Sequence, residues 1–157
     1  MELIDFIKSL NLPSDAYCVV GGALMHHLGL RGLGTHDIDL LVTPVLYGIL
    51  KMHPDWEVKK SRSSKYKKNP TYKTLYTYTT DDLMGLDISI PIEVLNEDDF
   101  VSELPEIKTY IARAYKVNDV PFIMALDMLQ WKAKACNHRP KDIEDIGLLV
   151  DYIIDNP

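Results

Sequence analysis

Residues 18–42 of this chain read CVVGGALMHHLGLRGLGTHDIDLLV. An apolar run ends at Gly21 and Gly22, a segment with helical spacing follows, and two more glycines precede Asp37 and Asp39. Flexible glycines and two like charges therefore lie at the edges of the most apolar segments. Two interpretations fit this pattern: turns around two buried strands, or a site that binds phosphate and metal.

The length and composition indicate an ordinary globular domain. The chain has 157 residues, of which 46% are hydrophobic and 25% are charged, and a chain of this kind buries a real core. We therefore predict a single domain over residues 1–157, with an α/β core in residues 1–105 and helices in residues 119–157.

Basic residues are concentrated in one segment. Seven of the 17 Lys and Arg residues lie between Lys59 and Lys73, although the formal net charge of the chain is −6. A net negative charge argues against a constitutive nucleic-acid binder, since such domains are usually basic. The segment interleaves Lys with Tyr, however, which suits contact with a nucleic-acid backbone and stacking on bases. A solvated two-stranded ribbon has the same composition, so both interpretations stay open.

The sequence shows no targeting or membrane signal. The N-terminal MELIDFIKSLNLPSD has early acidic residues and lacks the uninterrupted apolar region of a signal peptide. No apolar run approaches the ~18 residues of a membrane span. Cys18 and Cys136 are far apart and belong to no CxxC pattern, so they make no disulfide framework. These features predict a soluble cytoplasmic protein with reduced thiols and no membrane partner.

Hydrophobic periodicity predicts the α/β class, of the α+β kind, with a mixed β-sheet packed against helices and a helical C-terminal part. Expected helices cover residues 3–10, 23–30, 46–50, 121–136 and 141–154, and a short helix or turn is expected at 98–104. Expected strands are AYCVV, DIDLLV, a hairpin made of WEVKKSR and TYKTLYTYTT, and GLDISI, which ends before Pro91.

Asp37 and Asp39 lie two residues apart on a predicted strand. Such residues face the same side, with Cα atoms roughly 6–7 Å apart at a rise of ~3.3 Å per residue. Two carboxylates beside a core repel each other unless a cation lies between them, and Mg²⁺ prefers oxygen ligands of this kind. Two solvated acids at a strand edge are the simpler alternative.

Two further features favour the metal interpretation. A Gly-Gly pair between a strand and a helix lets backbone N–H groups approach an anion, next to the positive end of the helix dipole. Asp87 lies in a third apolar strand pattern, where it could also simply face solvent. If that strand is the neighbour of DIDLLV, three carboxylates meet. Such a site suits two-metal phosphoryl transfer, and Asp87 could accept the proton of an attacking hydroxyl.

These motifs together resemble the signature of the nucleotidyltransferase superfamily, which has the DNA polymerase β-like fold. The signature is a hydrophobic residue before GG, a helix, an acidic strand and a later third Asp, matched here by GGALMHHLGLRGLGTHDIDLLV and LDISI. The C-terminal LQWKAKACNHRPKDIEDIGLL is similar to helices of small bacterial members, including the AbiEii-like toxins and the antibiotic nucleotidyltransferases. One departure is Gly22, where many relatives have a Ser that contacts phosphate.

The resemblance implies transfer of a nucleoside monophosphate from an NTP to a hydroxyl acceptor, with release of pyrophosphate. It assigns the triphosphate to Gly21 and Gly22. It makes Asp37, Asp39 and Asp87 the catalytic residues and the ligands of two Mg²⁺ ions, with Mn²⁺ as the alternative metal, and Asp87 activates the acceptor. Thr35 and Lys132 are assigned to the nucleotide, and further substrate or phosphate contacts are assigned to Arg31, Arg139 and Lys141.

Simpler interpretations exist for the C-terminal residues. Lys132 could be a solvated helical lysine. Asp142 and Asp145 could be helix N-terminal acids stabilised by the dipole, or ion-pair partners of neighbouring basic residues.

The acceptor stays open between a small molecule, an RNA end and a protein hydroxyl. Nucleic acid would lie on the segment between Lys59 and Lys73. The alternative function is a nucleotide-binding or toxin–antitoxin-type interaction protein that has the same fold and little catalysis.

Overall fold

The computed structural model describes residues 2–32, 37–54, 57–59, 72–78, 87–93, 107–135 and 140–157. The helices in these ranges are α1 (Leu3–Ser9), α2 (Gly21–His27), α3 (Pro44–Met52), α4 (Ile107–Arg113), α5 (Ala125–Ala135) and α6 (Pro140–Asp155). The strands in these ranges are β1 (Tyr17–Val20), β2 (Asp37–Val42), β3 (Glu57–Lys59), β4 (Tyr72–Tyr78), β5 (Asp87–Glu93), β6 (Tyr115–Val117) and β7 (Val120–Phe122). The predicted mixed α/β class is confirmed.

All of these strands lie in one mixed sheet with the order β3-β4-β5-β2-β1-β7-β6. The central strands β1 and β2 pair antiparallel, β2 pairs parallel with β5, and β1 pairs parallel with β7. The pairs β3–β4, β4–β5 and β6–β7 are antiparallel. Residues 18–42 thus supply nearly all of the two central strands, together with helix α2 between them.

The core is built around these central strands. All of β1 is buried, and so are Ile38 and residues 40–42 of β2. Apolar runs without alternation are expected of strands that are covered on both faces. Helix α1 adds Leu3, Phe6 and Ile7 to the same hydrophobic cluster. Burying one side chain of this size contributes about 1.5–3 kcal/mol, so α1 is held to the sheet by its apolar side.

Helices α1 and α3 confirm the sequence predictions. α1 ends at Ser9, ahead of Pro13. α3 begins after Thr43, whose Oγ1 accepts a hydrogen bond from the backbone N–H of Leu46 at 3.2 Å. Pro44 occupies the first helical position, where its fixed φ suits the helix and its missing N–H is not needed. A cap of this kind stabilises a helix by about 1 kcal/mol.

Helix α2 differs in its bounds from the helix predicted at residues 23–30. It covers Gly21–His27, so it starts directly after β1 and ends early. Gly29 has a φ of 75°, in the left-handed region, and the N–H of Leu30 donates to the carbonyl of Met25 at 2.9 Å. This glycine motif satisfies the last carbonyls and turns the chain out of the helix.

Strand β5 continues through Pro91, so the prediction that it ends there is wrong. β5 pairs with β4 from Asp87 to Glu93, with Pro91 opposite Thr74. Its register with β2 covers residues 87–89. Pro91 therefore lies beyond the residues of β5 that pair with β2. Proline has no N–H to donate, and a strand tolerates it where one of its edges needs no backbone hydrogen-bond donor.

Residues 115–122 form a hairpin that the sequence pattern did not predict. Its turn consists of Asn118 and Asp119, with φ of 50° and 66°. Two consecutive left-handed residues are typical of a primed hairpin turn, and Asn and Asp tolerate them better than most residues. Pro121 lies in β7, so the helix predicted from residue 121 is wrong at its start and begins at Ala125. The C-terminal part therefore contributes to the sheet as well as supplying helices.

The hairpin predicted for the Lys/Tyr-rich segment is confirmed in its strands, because β3 and β4 pair antiparallel. Its loop lies outside the described residues, and so does the short helix or turn expected at residues 98–104. The helix predicted at residues 141–154 is α6. None of the described helices has the length and hydropathy needed to cross a membrane.

Candidate active site on the central strands

Two of the predicted catalytic acids are direct neighbours in the sheet. β2 begins at Asp37 and β5 begins at Asp87, and the parallel register pairs these two residues. Neighbouring strands lie about 4.8 Å apart, and paired residues share one face of the sheet. Asp39, two residues along β2, lies on that same face. The strand that contains Asp87 is therefore the neighbour of DIDLLV, which is the condition for a three-carboxylate site.

Asp39 lies against the glycine turn at the start of α2. The antiparallel register pairs Asp39 with Val20, the residue before Gly21. Gly21 has a φ of 65°, and a Cβ built on it would be 2.8 Å from Oδ2 of Asp39. A larger residue at this position would strain the backbone and collide with the carboxylate. Glycine is therefore required twice, by the φ and by the close approach of Asp39.

These positions offer the oxygen donors that a divalent cation requires. The three Cα atoms lie within roughly 8 Å of one another at ordinary sheet spacings. Mg²⁺ is typically held by one or two carboxylates plus phosphates, so the residues fit such an ion by type and register. Among the described side chains, to which those of Asp37 and Asp87 do not belong, no group of three or more His, Cys, Asp or Glu has the geometry of a metal site.

The backbone N–H of Gly21 is directed at helix α5. It donates to Sδ of Met128 at 3.3 Å. A thioether sulfur is a weak acceptor, so a phosphate oxygen would form a stronger bond with the same donor. Gly22 follows in the first turn of α2, where N–H groups have no intrahelical acceptor. Sequence reasoning missed Met128, although its position one turn before Lys132 on the same helix side could have suggested it.

Lys132 belongs to a buried ion-pair cluster between α5 and α6. Its Nζ is 3.4 Å from Oδ1 of Asp142 and 3.1 Å from Oδ2 of Asp145. Lys132 is 7% exposed, Asp142 is 0% exposed and Asp145 is 2% exposed. The interpretation of Lys132 as a solvated helical lysine is therefore wrong. Its contact with a nucleotide stays a prediction.

Arg31 joins this cluster from the segment that follows α2. Its Nη2 is 2.7 Å from Oδ1 of Asp145 and 3.6 Å from Oε2 of Glu144. The carbonyl oxygen of Arg31 lies 3.2 Å from Nδ1 of His26. Asp145 is thus an ion-pair partner of both Arg31 and Lys132, which is one of the two roles considered for it. Contact of Arg31 with substrate or phosphate stays a prediction.

The remaining predicted residues are not brought to the acids by any described contact. Thr35 and Arg139 lie outside the described residues. Lys141 is exposed in the first turn of α6. Their contacts with nucleotide or phosphate stay predictions.

The Lys/Tyr-rich hairpin lies beside the acidic strand. β4 pairs with β5 so that Tyr78 is opposite Asp87 and Tyr76 is opposite Ser89. Paired residues share a face, so both tyrosines occupy the face of the three acids. The sequence predicted this hairpin but not its neighbour, because the register between distant strands is set by pairing that local patterns do not encode.

Cys18 has no reactive character. It is fully buried in β1. Burial, with the negative charge of Asp127 as the smaller cause, raises the pKa of Cys18 to about 12. The thiol is therefore protonated at neutral pH, and a nucleophilic role for it is unsupported.

Known proteins provide no match for this chain. It matches no protein-family model, no curated protein and no solved structure. The resemblance to nucleotidyltransferases therefore rests on the residues of this chain and stays a prediction from them.

Proposed function

We propose that this chain has the nucleotidyltransferase fold and is a Mg²⁺-dependent nucleotidyltransferase. It moves a nucleoside monophosphate from an NTP to a hydroxyl acceptor and releases pyrophosphate. The observation that carries the proposal is the register of β2 and β5, in which Asp37 pairs directly with Asp87 and Asp39 follows on the same face. Acids that merely face solvent would need neither a common face nor a glycine held against one of them.

Asp37 and Asp39 would hold the Mg²⁺ ions, with Mn²⁺ as the alternative metal, and Asp87 would add a ligand to one of them. When bound, the ions would neutralise triphosphate charge and stabilise the attacking and leaving oxygens. Because Gly21 has no Cβ, which would lie 2.8 Å from Oδ2 of Asp39, the carboxylate can occupy the space beside the start of α2. This places the proposed metal ligand next to the backbone N–H groups proposed for the triphosphate.

Asp87 would also accept the proton of the acceptor hydroxyl. The acceptor oxygen then bonds to the α-phosphorus, while the bond from the α-phosphorus to the oxygen that bridges it to the β-phosphorus breaks. The electron pair of that bond leaves with pyrophosphate. Direct pairing with Asp37 keeps the base one strand spacing from a metal ligand, which suits a proton transfer beside the reacting phosphate.

Gly21 and Gly22 would bind the triphosphate through backbone N–H groups alone. The bond from Gly21 to Sδ of Met128 would exchange for a bond to a phosphate oxygen, which is the better acceptor. Lys132 lies one turn further along α5 but is held by two carboxylates. It would reach a phosphate only by giving up one of these ion pairs, so its first role is to hold α5 against α6.

The acceptor side would be formed by β4. Tyr78 is paired with Asp87, and Tyr76 is paired with the next residue on that face, Ser89. Two aromatic residues beside the general base suit an acceptor with a planar ring, whether a nucleobase or an aromatic small molecule. RNA, small-molecule and protein hydroxyls all stay in the proposal as acceptor classes.

The proposal is tested by supplying each NTP, labelled at the α-phosphate, with Mg²⁺ and a cell lysate. We expect label to appear on one class of acceptor. The label should be lost in Asp39→Asn and Asp87→Asn, which keep the side-chain size, and retained in Asp15→Asn, an exposed acid elsewhere.

Nucleotide binding is measured separately by the melting temperature. We expect NTP with Mg²⁺ to raise the melting temperature of the wild type and of Asp15→Asn, but not that of Asp39→Asn, because a ligand stabilises the state that binds it. An unchanged melting temperature with all four NTPs would contradict the proposed site. Binding without any labelled acceptor would favour the alternative, a nucleotide-binding interaction protein.

A further inference from the structure

Helix α6 carries an apolar stripe on its solvent side. Ile143, Val150 and Ile154 are 58%, 37% and 69% exposed, with Gly147 between the first two. Steps of four, three and four residues put these four positions on one line along the helix. The opposite side is buried and includes Asp142, Asp145 and Leu149. The stripe is therefore not the side by which α6 joins the protein.

The two edges of the stripe differ in chemistry. Along one edge run Glu144, Asp151 and Asp155, which are all exposed. Along the other run Ile146 and Ile153, which are half-buried and extend the apolar surface toward the protein body. The only basic residue of this helix is its second residue, a lysine three positions before Glu144, and Nη2 of Arg31 lies 3.6 Å from Oε2 of Glu144. Asp151 and Asp155 lie ten or more residues beyond that lysine, at about 1.5 Å of rise per residue. The stripe thus has one acidic and one apolar margin.

We propose that α6 docks a basic amphipathic helix of another protein. The apolar side of the partner helix covers Ile143, Val150 and Ile154, and its Lys or Arg residues face the acidic row. This proposal does not depend on nucleotidyl transfer, because it uses a surface that the acids of β2 and β5 do not share.

The spacing of the stripe suits a helical partner in particular. Steps of four and three residues are the a and d pattern of two helices packed side by side, and the acidic Glu144 and Asp151 then fall at the e positions that select a partner. A Cβ added at Gly147 would meet nothing within 4 Å. The glycine therefore leaves a notch in the stripe, into which a large side chain of the partner can insert.

The acidic residues of α6 make a second copy of this chain an unfavourable partner for the stripe. In an antiparallel pair of α6 helices the e positions face each other, so Glu144 and Asp151 would meet the same acids of the other copy. In a parallel pair the acids would lie against Ile146 and Ile153, which would desolvate them without a partner charge. The net charge of −6 opposes self-association further and attracts a basic protein. An anionic membrane surface is disfavoured for the same reason.

The test uses a synthetic three-heptad helical peptide with Leu at the a and d positions and Lys at the e and g positions. A matched peptide has Glu in place of Lys. We expect the Lys peptide to bind the full chain, and the Glu peptide to bind at least about tenfold more weakly. Raising the salt concentration should weaken binding of the Lys peptide but not abolish it, because the apolar contact is unaffected by screening.

The matched variants separate the stripe from general charge attraction. Val150→Ser with Ile154→Ser keeps every acid and should weaken the Lys peptide about tenfold or more, while Leu126→Ser, at another exposed apolar residue, should not. Melting temperatures show that each variant is folded. Equal binding of the two peptides, or no effect of the stripe variant, would overturn the proposal. So would self-association in sedimentation, or binding to anionic vesicles, that the stripe variant removes.

Discussion

Two groups of acidic residues in this molecule are held in different ways. In the first group, Asp142 and Asp145 are buried between α5 and α6 and pair with the buried Lys132 and the half-buried Arg31. Two carboxylates and two basic groups neutralise one another there. Such a cluster tolerates burial because each charge has a counter-charge within hydrogen-bonding reach or close to it.

The second group lies on the sheet. Asp37, Asp39 and Asp87 occupy one face of two paired strands, and the strand segments DIDLLV and DISIPIE contain no Lys or Arg. The comparison teaches that acids buried against matching cations hold the fold, whereas acids that strand register gathers on one face suit a cation from outside, as proposed for Mg²⁺.

The largest effect that can break this comparison is the loss of activity on changing Asp87 to Asn. We expect nucleotidyl transfer to fall by about 10³-fold or more, because both a metal ligand and a general base are lost. The free energy of unfolding should stay the same or rise, since one of three like charges is removed. Denaturant unfolding and label transfer are measured on the same preparation. A large loss of stability would make Asp87 a structural acid like Asp142.

The next largest effect is the loss of stability on changing Lys132 to Met. Removing one partner of a buried ion pair leaves uncompensated charge and costs about 3–5 kcal/mol. The matched control is Lys141→Met, since Lys141 is exposed in the first turn of α6, and its effect should be within about 0.5 kcal/mol. Urea unfolding distinguishes the two. Equal effects of both substitutions would remove the distinction between a paired and a solvated lysine.

A smaller effect separates the two requirements for glycine at the acid site. Gly29→Ala should destabilise the protein only through the left-handed φ, because a Cβ there touches nothing within 4 Å. We expect the free energy of unfolding to fall by about 1 kcal/mol. Gly21→Ala has the same unfavourable φ and also brings its Cβ into collision with Oδ2 of Asp39. Its free energy of unfolding should therefore fall by about 1 kcal/mol more than that of Gly29→Ala.

The double variant Gly21→Ala with Asp39→Ala isolates that collision. We expect the extra loss of Gly21→Ala to disappear in the Asp39→Ala background, which is a coupling that a double-mutant cycle measures. If the extra loss persists, the carboxylate is not the group that excludes a side chain at residue 21.

The smallest expected effect is a change in the pH dependence of stability caused by His27. This residue shows a third way to accommodate an ionisable group in the protein, which is to keep it neutral. The ring of His27 stacks on Phe122 with centroids 4.0 Å apart, and burial, with neighbouring His26 as the smaller cause, lowers the pKa of His27 below its ordinary value of 6.5. The unfolded chain therefore binds this proton more readily. Its contribution to stability is present above about pH 6.5 and is lost as the pH falls below that value.

His27→Phe should make this part of the pH dependence disappear. The substitution keeps a ring against Phe122 and removes the titration, so the free energy of unfolding should fall less between pH 7 and pH 5 than in the wild type. Unfolding curves at several pH values provide the measurement. Comparison at pH 8, where His27 is neutral in both states, controls for changes in packing. An identical slope in both proteins would contradict the assignment.

Local signals predicted much of the fold. The apolar runs of β1 and β2, the glycines around α2 and the Thr43-Pro44 start of α3 are all encoded within a few residues. The hairpin of β6 and β7 was missed because its strands of three residues are too short to show periodicity. Pro91 predicts a strand end because sequence does not reveal which edge of a strand is paired.

The candidate site was predictable in its residue types but not in its contacts. Asp37, Asp39 and Asp87 could be named from motif spacing. Their common face depends on the β2–β5 register, which is a long-range pairing. The same holds for Lys132, whose helix was predicted while its buried partners on α6 became apparent only from the packing of two helices.

The parallel pairing of β2 with β5 has a consequence for the order of folding. β1, α2 and β2 are continuous in sequence and can pair early, so Gly21 and Asp39 meet through a short connection. Asp87 joins only after the chain has passed through β3 and β4 and closed a long loop, and contacts of this kind form slowly. A nascent chain that stops short of β5 therefore carries two of the three acids and lacks the one proposed to activate the acceptor.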